Sequence, residues 1–117
     1  MSARYLPGQI LLAALAALVF SDQAGTKNRP ILVVRDGGDD DLLVAPITSH
    51  AGRSTHHVFL TDWQQAGLRL ASVARLEKVA TIAKRTVVRP LGQISSNDRN
   101  QVKPALQRLF NDILSDW

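Results

Sequence analysis

The chain has 117 residues, 45% of them apolar, with no cysteine and a formal net charge of +4 at pH 7. That length supplies one modest core rather than two good ones, so a single domain over residues 1–117 is expected, folded rather than disordered. The missing cysteines exclude disulfides, thiol nucleophiles and thiolate metal sites, and fit a reducing compartment such as the cytoplasm.

The charge is unevenly spread. Asp36 and Asp39-Asp40-Asp41 share one turn with Gly37-Gly38, whereas residues 42–110 carry ten Lys/Arg against three Asp/Glu, a local balance of +7. A basic face of this kind favours polyanions, with binding that weakens as salt rises, although it also serves plain solubility.

The apolar run at residues 10–20, with Gly8 before it, reads as a buried first strand. Arg4 ahead of that run also fits an export signal, but Ser21-Asp22-Gln23 offers no small-x-small cleavage site. Eleven apolar residues are too few to cross a bilayer, which takes about 20 as a helix. The alanines in the run are weak strand formers, which leaves a local helix as the alternative.

Residues 21–29 read as a polar loop, 31–35 as a β-branched strand, 36–41 as a turn and 42–47 as the returning strand of a hairpin. A small, polar, basic loop follows at 48–55. Residues 56–60 read as a strand, and 61–66 as a helical turn that Thr61 or Asp62 caps. Further strands are expected at 70–76 and 86–94, with an irregular piece between them.

From Ser95 the period changes to a helical one, with Val102, Leu106, Leu109, Phe110 and Ile113 on one stripe. Ser95 and Asp98 have the spacing of a capping box with Asp in place of Glu. Pro104, inside this segment, is expected to kink the helix or start a second one. Trp63 and Trp117 have no place in the stripe. About six short strands and one terminal helix predict a mostly-β α+β fold, a small and strongly curved sheet or barrel.

Three pairs of residues carry the candidate chemistry. In Lys27-Asn28-Arg29-Pro30, proline fixes its own φ and biases Arg29 toward extended geometry, so the guanidinium is aimed. Thr48-Ser49 places two hydroxyls and their N–H groups at a strand end, useful for a phosphate oxygen but also ordinary turn chemistry. Arg75 and Glu77, two apart on an expected strand, face the same side, where they serve either as a catalytic pair or as a surface salt bridge. Glu77 is the sole glutamate in the chain. His56 and His57 are adjacent and so point to opposite strand faces, which makes them unsuited to chelating one metal, and no His-Glu-x-x-His spacing exists. His50 lies beside the Thr48 loop. No Gly-rich loop opens a helix, which argues against nucleotide hydrolysis.

Pro7-Gly8, Arg29-Pro30 with residues 31–34, Pro46-Ile47-Thr48-Ser49, Ala66-Gly67-Leu68 and Leu91-Gly92 occur in an order that resembles the PemK/MazF family of toxin ribonucleases, over about residues 7–114. Gln9 departs from the acidic residue usual there in the family, and residues 13–18 are longer and richer in alanine than its first strand. The resemblance implies an SH3-like barrel with a C-terminal helix, the fold shared with CcdB. It also implies the toxin of a type II toxin–antitoxin pair, acting on single-stranded RNA as a sequence-selective endoribonuclease without metal or other cofactor. Attack by the 2′-hydroxyl would leave a 2′,3′-cyclic phosphate and a 5′-hydroxyl.

Such cleavage needs a base for the 2′-proton, an acid for the leaving 5′-oxygen and cations for the phosphorane. By resemblance the catalytic residues are Arg29, Thr48, Ser49, Arg75 and Glu77, and the RNA contacts Lys27, Asn28, His50, Arg53 and Lys78. Some family members carry Arg-x-Asp at these positions, with the carboxylate proposed as the base and the arginine as the acid, and Glu77 replaces that aspartate with a side chain one methylene longer. Arg75 is better suited to charge stabilisation than to proton donation, because a guanidinium stays protonated. The implied partners are a cognate antitoxin that lays a flexible segment over the groove and a second copy of the chain, with no membrane. The alternatives are a CcdB-like toxin that binds DNA gyrase without catalysis, and a non-catalytic RNA-binding homologue.

Overall fold

The computed structural model describes residues 3–15, 27–50 and 54–117. Seven strands, β1 (Gln9–Leu15), β2 (Lys27–Asp36), β3 (Asp41–Thr48), β4 (His57–Leu60), β5 (Ser72–Arg75), β6 (Ala80–Ala83) and β7 (Val87–Gln93), precede one helix, α1 (Ser96–Ser115). Short 3₁₀ turns at Leu76–Lys78 and Lys84–Thr86 link β5 to β6 and β6 to β7.

All pairings are antiparallel, in the order β4-β5-β3-β2-β1-β7. The outer edge of β3 is divided: β6 pairs with residues 41–44 and β5 with residues 47–48. The sheet is therefore curled but not closed among the described residues, since β4 and β7 end it without bonding each other. That is the expected mostly-β fold with a C-terminal helix: the described residues hold seven strands where about six were expected, and the sheet is not closed into a barrel.

The sheet buries apolar side chains on both faces. Ile10, Leu32, Ala45, Ile47, Val58, Leu60 and Leu76 meet Val102, Ala105 and Leu109 of α1. Leu11, Leu15, Ile31, Val33, Leu42, Val44 and Ile82 form a second core on the other face, with Tyr5, Ala80 and Val87 packed against it. Neighbouring residues of β2 go to opposite cores, which explains its unbroken apolar run.

Several sequence expectations are corrected. Arg29 is not in a loop but in β2, opposite Ala13, because β1 gives this polar stretch a partner as far as Lys27, opposite Leu15. The first strand is seen to Leu15, and the rest of that expected strand, with the loop to residue 26, lies outside the described residues. The irregular piece holds β6. The helix runs through Pro104 to Ser115: the proline is exposed, and the carbonyl it leaves unpaired belongs to exposed Asn100. Trp63 packs against the α1-side core, whereas Trp117 is fully open to solvent.

Only half of the capping box forms. The Ser95 hydroxyl accepts the Asp98 N–H at 3.1 Å, but the Asp98 carboxylate does not turn back to Ser95. It accepts the N–H groups of Thr61 and Asp62, each at 2.9 Å, and so caps the 61–67 turn from another element.

Asp36 ties the N-terminal segment to the sheet. Its carboxylate accepts the Tyr5 N–H at 2.9 Å and the Gly38 N–H at 2.8 Å and meets Lys84 Nζ at 3.0 Å, while Lys84 also donates to the Ala3 carbonyl at 2.7 Å. The two backbone donors, helped by Lys84, pull the carboxyl down to about 2 from 3.8, against the opposing effect of burial. A carboxyl lowered on folding stabilises above its unfolded value, and that stabilisation drains away as pH falls from 3.8 toward 2. Thermal melts across this window should show wild type losing more stability than Asp36→Asn. Parallel curves would remove Asp36 from the acid response.

Candidate functional site

The site begins where β3 ends. Thr48 is its last residue and pairs with Val73 of β5. The Thr48 hydroxyl oxygen accepts the His50 N–H at 3.1 Å, the turn chemistry expected of such a residue, and its own proton meets no acceptor among the described residues. Ser49 and His50 are exposed just beyond it.

Directly opposed residues of an antiparallel pair share a sheet face, as do residues two apart on one strand. Val73 stands opposite Thr48 and Phe59, and His57 stands opposite Arg75. Thr48, Val73, Phe59, Arg75 and His57 therefore form one patch. Arg29 belongs to the same end and face: the β2–β3 register runs to Ile31 opposite Pro46, and Arg29 and Thr48 each lie two residues beyond that pair. Lys27 and Asn28 are exposed at the start of β2.

Glu77 is not on a strand. It sits in the 3₁₀ turn that follows β5, beside half-buried Lys78. The turn still brings it to Arg75, with Oε1 at 3.8 Å from the Arg75 Nε, but that separation exceeds a hydrogen bond. The hydrogen-bonded partner is His57, whose Nε2 lies 3.0 Å from the same oxygen. Glu77 Oε2 and His57 Nδ1 are buried, with no hydrogen-bond partner among the described residues. His56 points the other way, its Nε2 3.2 Å from Asp112 of α1, so the two histidines diverge as their adjacency predicted.

Thr48, Ser49 and His50 also line a cleft of about 580 Å³. Leu12, Pro30 and Ile47 form its sheet side, residues 67–70 one wall, and Arg69 and Arg89 add cations. Backbone contact fixes that wall. A Cβ on Gly67, at φ +85°, would overlap the Leu91 carbonyl, and one on Gly92 would stand 2.5 Å from the Ala66 carbonyl oxygen. The Ala66-Gly67 and Leu91-Gly92 motifs are thus two sides of one close approach.

Arg29, Arg75 and Glu77 do not line the cleft, so the predicted residues fall into two groups that adjoin at Thr48. Arg53 lies outside the described residues. Sequence reading missed Phe59, a strand aromatic left 66% exposed, and gave His57 no role. The signal for Phe59 is its phase, with buried Val58 and Leu60 on either side. Among the described residues no group of three His, Asp or Glu side chains is placed to hold a metal ion, and no helix is long and apolar enough to cross a membrane.

The family model of the PemK-like, MazF-like toxins of type II toxin–antitoxin systems matches residues 6–110. The chain belongs to this PemK/MazF toxin family. Solved structures of similar fold include an endoribonuclease from a mycobacterial species, at TM-score 0.71 and 16% identity over 95% of both chains. The Mycobacterium tuberculosis toxin MazF-mt6 superposes at TM-score 0.70 and 22% identity, over 88% of this chain and 96% of that one. A chain of the MazE–MazF complex from Deinococcus radiodurans gives TM-score 0.68 and 20% identity over 92% and 98%. No curated protein matches the chain in sequence.

Proposed function

We propose that this PemK/MazF toxin is a metal-independent, sequence-selective endoribonuclease that cuts single-stranded RNA through its own 2′-hydroxyl. The observation that carries the reading is the shared face of Thr48, Arg75 and Phe59, with Glu77 beside it and Arg29 at the same sheet end.

Glu77 takes the 2′-proton, the 2′-oxygen bonds to phosphorus, and the P–O5′ bond breaks. O5′ takes a proton from water and Glu77 returns its own, so no water is consumed and a 2′,3′-cyclic phosphate results. Arg29 and Arg75 offset the extra negative charge of the phosphorane, for which a forked guanidinium is well shaped. The hydroxyls of Thr48 and Ser49 donate to a phosphate oxygen. Phe59 offers an exposed ring on which an unpaired base stacks, a means of holding single strands that duplexes deny. Lys27, Asn28, His50, Arg53 and Lys78 hold the flanking backbone.

Two of the structural neighbours are described as an endoribonuclease in complex with its cognate antitoxin and as MazE–MazF. A cognate antitoxin is accordingly the proposed partner here, in the cytoplasm. A homodimer is also proposed, and light scattering at micromolar concentration should report about twice the 12.8 kDa chain mass. A 12.8 kDa species that still cleaves RNA would remove the dimer.

The deciding experiment incubates purified protein with a long single-stranded RNA in EDTA. Discrete fragments ending in 2′,3′-cyclic phosphate are expected. Intact RNA beside a folded protein would overturn the reading and favour a gyrase-binding toxin.

A further inference from the structure

His57 is a buried imidazole facing the proposed catalytic patch, with only 7% of its side chain exposed, and the reaction as drawn gives it nothing to do. A buried polar ring needs a partner for its N–H, and the one it has is Glu77 Oε1, 20 residues further along the chain, at 3.0 Å. We infer that His57 is the positioning residue for Glu77: by donating its Nε2–H to Oε1 it clamps the carboxylate and leaves Oε2 to receive the substrate proton. The inference rests on the reading of Glu77 as the base.

The geometry supports a division of labour between the two oxygens. Arginine beside a carboxylate tends to grip both oxygens in a fork, which would occupy the lone pairs a base must offer. Here the Arg75 Nε stays at 3.8 Å from Oε1, and it is the imidazole that makes the short contact. Oε2 carries no hydrogen bond among the described residues, so its lone pairs are not committed.

Oε2 is itself buried while the Glu77 side chain as a whole is 25% exposed, so a rotation about glutamate's soft terminal torsions, with Oε1 kept within reach of Nε2, must bring Oε2 to the 2′-hydroxyl when RNA binds. In the step itself the proton moves from the 2′-hydroxyl to Oε2, while the hydrogen bond from Nε2 to Oε1 persists. His57 neither gains nor loses a proton.

The β4–β5 register makes this arrangement possible. His57 lies directly opposite Arg75, and the 3₁₀ turn carries the chain one residue beyond Leu76, where Glu77 meets the Nε2 edge of the ring. His56, one residue away, faces Asp112 and cannot substitute.

The test compares wild type, Glu77→Gln, His57→Phe and His57→Gln on a short RNA spanning a mapped cut, with thermal melts confirming that each is folded. His57→Phe should lower kcat by about 100-fold, the scale expected when a reacting group drifts by an ångström, with KM within about twofold. His57→Gln, which restores an N–H donor at similar reach, should recover kcat to within about tenfold of wild type. A purely packing role for the ring would be served at least as well by Phe as by Gln.

Proton NMR supplies a readout independent of cleavage. Wild type should show a slowly exchanging imidazole Nε2–H that disappears in Glu77→Ala, and its placement on Nδ1 instead would overturn the clamp even if His57→Phe does not fold. Glu77→Gln cleaving at the wild-type rate would overturn the base and the clamp together. An inactive Glu77→Gln beside a fully active His57→Phe would overturn the clamp alone, as would equal losses in both folded His57 variants.

Discussion

Arg29→Ala is expected to lower RNA cleavage by about 100-fold or more, the usual cost of removing one preorganised stabiliser of transition-state charge. The fold should barely notice. Arg29 is held in β2 by its pairing with Ala13 of β1, a backbone arrangement that Arg29→Ala leaves in place. A substitution that removes neither a core side chain nor a backbone bond stays within about 0.5 kcal/mol, a few degrees in melting temperature.

Arg29→Lys should fall between the two, because an ammonium keeps the charge and loses the fork that grips two phosphate oxygens. Arg35→Ala is the matched control: it removes an exposed cation from the same strand, at its far end, and should leave cleavage unchanged. Gel or fluorescence assays on a mapped substrate read all three. Wild-type cleavage by a folded Arg29→Ala protein would take the charge role away from this residue.

What was legible in the chain was mostly local. Apolar runs bounded by Gly, Asp and Pro marked the β2–β3 hairpin, and the switch to a 3.6-residue period at Ser95 marked α1. Features that depend on a distant partner were not. Lys27-Asn28-Arg29 has no strand character of its own and becomes one because β1 lies alongside. Ala80-Thr81-Ile82-Ala83 is too short to show alternation and forms β6 because the first half of β3 has an open edge. Pro104 failed to break α1 because Val102, Ala105 and Leu109 anchor the helix on either side of it.

The candidate site divides the same way. Arg29-Pro30 and Thr48-Ser49 stand out as dipeptides, and their common sheet end follows from the hairpin. The Arg75–Glu77 spacing brought the two charges together as expected, although through a turn instead of a strand. The contact between His57 and Glu77 had no sequence signal, since only the β4–β5 register decides which residue faces Arg75. The wall of the cleft was half visible: two Gly-containing motifs were apparent, but not that their backbones touch.

Asp98→Ala is the substitution expected to cost the most stability, about 2–4 kcal/mol. Asp98 is completely buried, and its two oxygens accept the backbone N–H groups of Thr61 and Asp62. Alanine would strip both donors of their acceptor, and hydrogen bonds to a charged group are worth roughly 1.5–3 kcal/mol each, less whatever water recovers. It would also remove a negative charge from the first turn of α1, where the helix dipole favours one. For a chain of this size the loss translates to a melting temperature lower by about 10–20 °C.

Asp98→Asn should lose less, since one oxygen still accepts while the amide nitrogen opposes the second N–H. The damage should also spread to the site, because the turn that Asp98 caps runs directly into Gly67 and the cleft wall against Leu91. At temperatures where Asp98→Ala is still folded, its KM for RNA should therefore rise more than its kcat falls. A melting temperature within about 3 °C of wild type would mean that the Thr61–Asp62 turn is held by something other than this carboxylate.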